Sequence, residues 1–193
     1  ARGLELIADK YVQTYNLKNK KVLLYVGRLV EVKALPLFIR TRKTILEEEK
    51  DLLLILIGDG AEKEKLKHLV KESNLVDKVL ILGEYQSEEL HGWYLSASGL
   101  VLPSIWEPFG AVINEALIFG LPVFCSSLAG ASSWIKEEHG MIFNPLSSQD
   151  TQDRLKLFIK RIEAVDNTNL DNKKCLMDFS IDKFNREWIK LEQ

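Results

Sequence analysis

Cysteine is scarce in this chain. Cys125 and Cys175 are the only two in 193 residues, too few for a disulfide framework, so the natural setting is a reducing compartment. Cys125 lies in the apolar run PVFCSS and reads as a buried, inert thiol. Histidine is also rare. His68, His91 and His139 stand apart without a partner motif, and each is expected on a helix or loop surface as a solvated side chain. Basic charge is not in excess: 26 Lys and Arg face 28 Asp and Glu, for a net charge of -2. That balance argues against a nucleic-acid partner. The longest apolar run falls well short of the roughly 18–20 residues a membrane-spanning helix needs. The opening ARGLELIADKYVQ has no signal-peptide core; it starts abruptly on an amphipathic stretch, which leads us to expect a piece of a longer chain.

What is present is an alternation of short apolar runs and amphipathic ones. KVLLYVG (21–27), DLLLILIG (51–58), DKVLILG (77–83), GLVLPS (99–104) and LPVFCSS (121–127) read as buried strands, with GMIFN (140–144) as a sixth. Between and after them, 34–50, 61–73, 87–98, about 111–119, 147–165 and 180–193 read as helices. Pro36 is tolerated only in a first turn, and Ser87 is a plausible N-cap followed by carboxylates. The polar run DNTNLDNKK (166–174) is the best linker candidate. Trp134 and Trp188 read as packing residues. The amphipathic stretch 155–165 is expected to pack on its own sheet rather than on a membrane. Strands apolar on both faces and separated by helices predict an α/β fold with a Rossmann-like parallel sheet and helices on both faces. The length suits a single domain over 1–193.

Parallel sheets of this kind bind ligands at the carboxyl ends of their strands, and three such ends carry polar chemistry. After Gly27 come Arg28 and, five residues on, Lys33 near a helix start; the pair suits an anion with several oxygens, such as a diphosphate. Read alone, they fit better as solvated loop cations, since surface cations are the rule. In GDG (58–60), Asp59 invites a metal, but no second carboxylate stands at ligand spacing, so a tight turn is the better reading. The richest stretch is PSIWEPFGAVINEALIFGLPV (103–123). Pro108 and Gly110 shape a turn, a helix begins at about Ala111, and its free N–H groups form a positive end that attracts phosphate. Glu107 stands on the turn and Glu115, eight positions later, one turn into the helix on the face of Ala111. A carboxylate accepts two hydrogen bonds at once and suits vicinal hydroxyls. Glu115 would then hold a ribose, the helix end the phosphates, and Glu107 a sugar beyond them. The alternative is a capping Glu107 and a structural Glu115. Trp106 could stack on a sugar or base, or pack under the loop.

Taken in order, VGRLVEVK, LILIGDG, LPSIWEPFGAVINEALIFGLPV and, more weakly, FSIDKFNREWIKL resemble the nucleotide-sugar-binding, C-terminal half of GT-B glycosyltransferases of the retaining, group-4 type. The glutamate–seven residues–glutamate signature of that family is matched by Glu107 and Glu115. The resemblance implies transfer of a hexose-type sugar from a nucleotide-diphosphate donor to an acceptor hydroxyl with retention of anomeric configuration. It implies a catalytic set of Arg28, Lys33 and Glu107, with the two cations neutralising the leaving diphosphate, so that no metal and no other cofactor is needed. Glu107 would contact the donor sugar and Glu115 the ribose. Backbone groups at Phe109, Gly110 and Ala111 would approach the sugar and phosphates, and the loop around Tyr85 would lie against the base. The acceptor, a glycan or lipid-linked sugar, would be held by a domain absent from this chain. The isolated chain is therefore expected to bind donor nucleotide weakly and not to transfer efficiently. The resemblance also implies a cytoplasmic protein of cell-surface polysaccharide or glycoconjugate synthesis, with the full-length enzyme at most peripheral at the inner membrane. One segment departs from the pattern: in AGASSWI, Ala129 replaces the first of two glycines and Ser133 a glutamate, which bears on the sugar-side loop. A nucleotide-sugar epimerase of the same architecture and a non-catalytic nucleotide-sugar-binding module are the competing readings.

Overall fold

The computed structural model describes residues 2–166 and 173–176. Helix α1 (Arg2–Thr14) leads into a sheet of six strands: β1 (Lys21–Val26), β2 (Leu52–Ile57), β3 (Val79–Gly83), β4 (Gly99–Leu102), β5 (Val123–Ser126) and β6 (Gly140–Phe143). Helices α2 (Leu35–Glu48), α3 (Lys63–Glu72), α4 (Ser87–Leu95) and α5 (Ala111–Ile118) connect the first five strands, and α6 (Ser148–Arg161) follows the last. Every strand pair is parallel, in the order β3-β2-β1-β4-β5-β6. The parallel α/β sheet expected from the sequence is thus present, all six strands included.

The reason lies in the strand compositions. All six residues of β2, LLLILI, are buried, as are all four of β4 and of β5. Such strands need cover on both faces, because each fully buried Leu or Ile contributes roughly 1.5–3 kcal/mol relative to exposure. The helices supply it: α2 packs with α3 and α6, and α1 packs with α4, while α5 lies against β4 and β5. Under α6, Phe124 stacks on Phe143 at 4.2 Å and meets Phe158 at 5.4 Å between ring centroids. Among the described residues no helix is long and apolar enough to cross a membrane.

Several local expectations are corrected. Ser87 does not cap α4; the N-cap is Gln86, without a side-chain cap bond, and Ser87 is the first helical residue with φ of 49°. The side-chain cap the sequence promised occurs instead on α6, where Ser147 Oγ accepts from the Asp150 amide at 3.2 Å. His139 is not a surface residue. It ends a 3-10 turn (Glu137–His139) directly before β6 and is buried there. Trp134 does not pack; it closes a 3-10 turn (Gly130–Trp134) and is 65% exposed. His91 is half-buried, its ring 5.0 Å from that of Phe119. The end of the linker candidate is tied down. Lys173 Nζ donates to the carbonyls of Leu95 and Ala97 at 2.7 and 2.5 Å, and the Leu176 amide donates to Leu117 O at 2.8 Å. The terminal helix expected over 180–193, with Trp188, lies outside the described residues.

Close strand-end packing explains one glycine. Gly58 has φ of 143°, and a Cβ there would stand 1.9 Å from the carbonyl oxygen of Gly27. The two backbones that carry the loops after β1 and β2 touch at this point. Gly58→Ala is therefore expected to destabilise the fold by about 1–3 kcal/mol or more, read as a lower urea midpoint; an unchanged midpoint would show that the two strand ends separate freely. Cys125, as expected, is fully buried, and burial, reinforced by the charge of Glu107, pushes its thiol up to about 12. Cys175 is exposed. A disulfide-exchange reagent at roughly pH 8 should titrate one thiol in the native chain and two after denaturation; two fast thiols in the native state would contradict this packing.

Candidate functional site

Sheet order locates the site before any side chain does. From β1 the chain steps outward to β2 and β3, then returns so that β4 lies on the other side of β1. The loops leaving the carboxyl ends of β1 and β4 therefore run to helices on opposite faces, and sheets of this type bind ligands in the crevice at such a reversal. Those loops are residues 27–34 and 103–110. They are joined by one backbone bond, from the Ile105 amide to Val32 O at 2.9 Å.

Lys33 and Glu107 meet across this crevice. Lys33 ends a 3-10 turn (Glu31–Lys33), after which Ala34 adopts a left-handed conformation (φ 54°) and caps α2. Its ammonium donates to Glu107 Oε2, and each side chain is only 14% exposed. Partial burial makes the pair strongly interdependent: either charge left alone there would lack compensation. Two buried groups lie close beneath. Tyr25 is fully buried and donates its hydroxyl to Arg28 O at 2.9 Å; burial first, and then Glu107, raise its phenol above the ordinary value. Cys125 senses the same carboxylate. The Arg28 side chain is exposed at the rim.

The loop carrying Glu107 is laced to the loop after β5. Glu107 and Ala129 form a parallel bridge. The Gly130 amide donates to Glu107 O and the Ala131 amide to Phe109 O, both at 2.8 Å. A Cβ at Gly130 would stand 2.0 Å from Pro108 O, so this position has no room for a side chain. Alanine at position 129 fits the backbone without strain: Ala129 is buried with ordinary backbone angles (φ -88°, ψ 135°). Ser133 is exposed, its hydroxyl turned to Gly130 O at 3.4 Å.

Beyond Pro108, Gly110 takes φ of 86° and ψ of 47° as the N-cap of α5. The helix begins at Ala111, as expected; the Ile113 amide donates to Gly110 O at 2.9 Å, and the amides of Ala111 and Val112 ahead of it have no intrahelical acceptor. Glu115 is half-buried on α5 and its Oε2 accepts a 2.6 Å hydrogen bond from the hydroxyl of Tyr94 on α4. Trp106 and Phe109 are 63% and 80% exposed, so Trp106 is not packed under the loop.

Of the residues singled out by sequence, the fold brings Lys33 and Glu107 into contact and places Arg28, Phe109, Gly110, Ala111 and Glu115 on the two loops and the helix that border the crevice. Tyr85 is half-buried at the end of β3 in an aromatic cluster, with its ring 5.9 Å from Tyr11 and 5.7 Å from Trp93 and its hydroxyl 3.5 Å from that of Tyr15. Burial and that contact push its phenol up to about 12. Asp59 forms the turn expected of it, accepting from the Gly60 amide at 2.7 Å and pairing with Lys63. Among the described residues no cluster of three or more His, Cys, Asp or Glu side chains could hold a metal ion. Sequence reasoning missed Tyr25 and Tyr94. Their only signal was a phenol in an otherwise apolar segment, which must find a partner once buried.

A family model described as glycosyl transferases group 1 matches residues 8–172. The chain is 37% identical over 120 residues to the uncharacterized glycosyltransferase MJ1607 of Methanocaldococcus jannaschii, covering 62% of this chain and 30% of that protein. It is 31% identical over 145 residues to the sulfoquinovosyl transferase SQD2 of Arabidopsis thaliana, covering 73% of this chain and 27% of that one. The chain thus spans about a third or less of the length of these relatives. Among solved structures, sucrose-phosphate synthase from Thermosynechococcus elongatus matches with a TM-score of 0.70 at 29% identity, over 88% of this chain and 41% of that one. Anabaena Alr3699/HepE in complex with UDP has the same fold, with a TM-score of 0.74 at 21% identity over 98% of this chain and 54% of that one. With the parallel sheet, the crevice at its strand-order reversal and the family match over most of its length, this chain belongs to the group 1 glycosyl transferases.

Proposed function

We propose that this chain is the donor-binding half of a retaining glycosyltransferase, which moves a hexose-type sugar from a nucleotide diphosphate to an acceptor hydroxyl. The observation that carries the reading is the meeting of Lys33 and Glu107 at the strand-order reversal, with Glu115 on the helix that leaves the same loop. An ammonium has three donors and a carboxylate two oxygens. The Lys33–Glu107 bond uses one donor and one oxygen, leaving the ammonium free to meet diphosphate oxygens and Glu107 Oε1 free to meet a sugar hydroxyl. Arg28 at the rim adds a second cation, and the N-terminus of α5 adds oriented N–H groups.

These groups act on the difficult part of the reaction. As the bond from the anomeric carbon to the diphosphate oxygen breaks, negative charge grows on the leaving group. Fixed cations and N–H dipoles in a partly dry crevice stabilise that charge more than they stabilise the resting donor. Two lysine and arginine cations take the place a divalent metal would have, so the reaction needs none. Glu107 positions the sugar, and Glu115 receives the ribose hydroxyls. The Phe109, Gly110 and Ala111 backbone lies along the sugar and phosphates, and the β3 loop near Tyr85 borders the base. The acceptor is held by a part of the protein beyond this chain, and the product belongs to a cell-surface polysaccharide or glycoconjugate.

Calorimetric titration with UDP, GDP and ADP tests the donor site. One of the three should saturate it, and Glu115→Ala should weaken that nucleotide about 10-fold, the loss expected for hydrogen bonds to a charged group. Failure of all three to bind the folded chain would overturn the reading. Lys33→Met should erase most of the affinity advantage of the diphosphate over the corresponding monophosphate, and the remaining affinity should depend less on salt. An undiminished diphosphate preference in that variant would remove Lys33 from the phosphate site.

A further inference from the structure

Glu115 is not free to choose its orientation, and the residue that fixes it has no role so far. Tyr94 is fully buried. Its ring stacks on Phe119, the C-cap of α5, at 5.5 Å between centroids and 5° between planes. Its backbone is pinned as well: Lys173 Nζ, reaching in from the segment 173–176, donates to the carbonyls of Tyr94, Leu95 and Ala97 at 3.2, 2.7 and 2.5 Å. The same segment holds the far end of α5, where the Leu176 amide donates to Leu117 O at 2.8 Å. With ring and backbone both held, the hydroxyl has one direction left, and it points to Glu115 Oε2 at 2.6 Å.

The chemistry of the pair is one-way. Burial, the hydrogen bond and the nearby carboxylate charge all raise the Tyr94 phenol far above its usual value, so it stays protonated and is a permanent donor. An ionised carboxylate is an acceptor only. The bond therefore commits one lone pair of Oε2 and leaves Oε1 uncommitted on a half-buried side chain. A free Glu side chain loses rotamer entropy when it settles into one geometry; here that cost is met in folding and not in binding.

We propose that Tyr94 is a positioning residue for the nucleotide site: it holds Glu115 with Oε1 presented to the vicinal hydroxyls of the ribose, while Lys173 holds Tyr94. The proposal rests on the reading of Glu115 as the ribose ligand. It differs from a merely structural role for Tyr94 in one respect. A structural phenol affects every nucleotide equally, whereas a positioning phenol affects only nucleotides that have hydroxyls to position.

The test is calorimetry on the whole chain with the nucleoside diphosphate found among UDP, GDP and ADP, and with its 2′,3′-dideoxy form. Wild type, Tyr94→Phe, Glu115→Ala and the double variant are compared, each checked for an intact thermal transition. Phenylalanine keeps the ring and its stack on Phe119, so the fold should survive. Tyr94→Phe should weaken the ribonucleotide about 5-fold, somewhat less than outright loss of a hydrogen bond to a charged group. It should leave the dideoxynucleotide unchanged, and in the double variant it should add nothing to Glu115→Ala. Lys173→Met should give a smaller loss of the same kind, confined to the ribonucleotide. Equal weakening of both nucleotides by Tyr94→Phe, or none of either while Glu115→Ala weakens the ribonucleotide, would overturn the positioning role and leave the ribose reading standing. A Glu115→Ala variant that binds like wild type would overturn both.

Discussion

The reversal of strand order between β1 and β4 is the constraint on which the rest of this molecule depends. Parallel strands need crossovers, and crossovers running in opposite directions from one pair of central strands must lie on opposite faces of the sheet. That puts α2 and α3 on one side and α4 and α5 on the other. It also sends the chain leaving β1 and the chain leaving β4 toward helices on opposite faces at the carboxyl edge. The bond from the Ile105 amide to Val32 O then fixes how far apart they stand. Lys33 and Glu107, 74 residues apart in sequence, become neighbours as a result of topology rather than of any local signal.

Around that crevice the backbone is fastened to itself at every strand end. Gly58 lies against Gly27, and Gly130 lies against Pro108, each too close for a side chain. The loop of Glu107 is bridged to Ala129 and bonded through Gly130 and Ala131. Sites that hold charge need this kind of support, because a fixed dipole or cation gains its advantage over water from not having to reorganise. The buried layer below serves the same end with phenols instead of ions. Tyr25 bonds to the backbone of Arg28, and Tyr94 bonds to the carboxylate of Glu115. Both phenols are held protonated by burial, so they donate without introducing a further charge.

Legibility was uneven, and the reason is physical. Elements whose signal is composition and period were plain. β2 is LLLILI and buried throughout, and Pro36 sits in the first turn of α2 where its missing N–H costs nothing. Positions whose role depends on an end condition were not. Ser87 has the chemistry of a cap but falls inside α4, while Ser147, with the same chemistry, does cap α6. His139 and Trp134 changed places with expectation, the polar residue buried and the large apolar one exposed, because two short 3-10 turns between β5 and β6 set their directions. Lys173 looked like part of a polar linker, yet its ammonium closes the carbonyl end of α4.

The sequence by itself determined the layered α/β architecture, the strands and helices that build it, and the segments that meet at the strand ends: Arg28 and Lys33 after β1, and Glu107 to Glu115 after β4. These follow from hydrophobic period, from glycine and proline, and from family likeness, all properties of local stretches. Only the tertiary structure decided that Lys33 bonds to Glu107, that Tyr94 bonds to Glu115, and that the loop of Ala129 stitches the glutamate loop in place. Those contacts join residues 74, 21 and 22 positions apart. Their formation depends on the order in which strands enter the sheet and on which neighbour takes each buried donor, and neither is written in any single stretch of the chain.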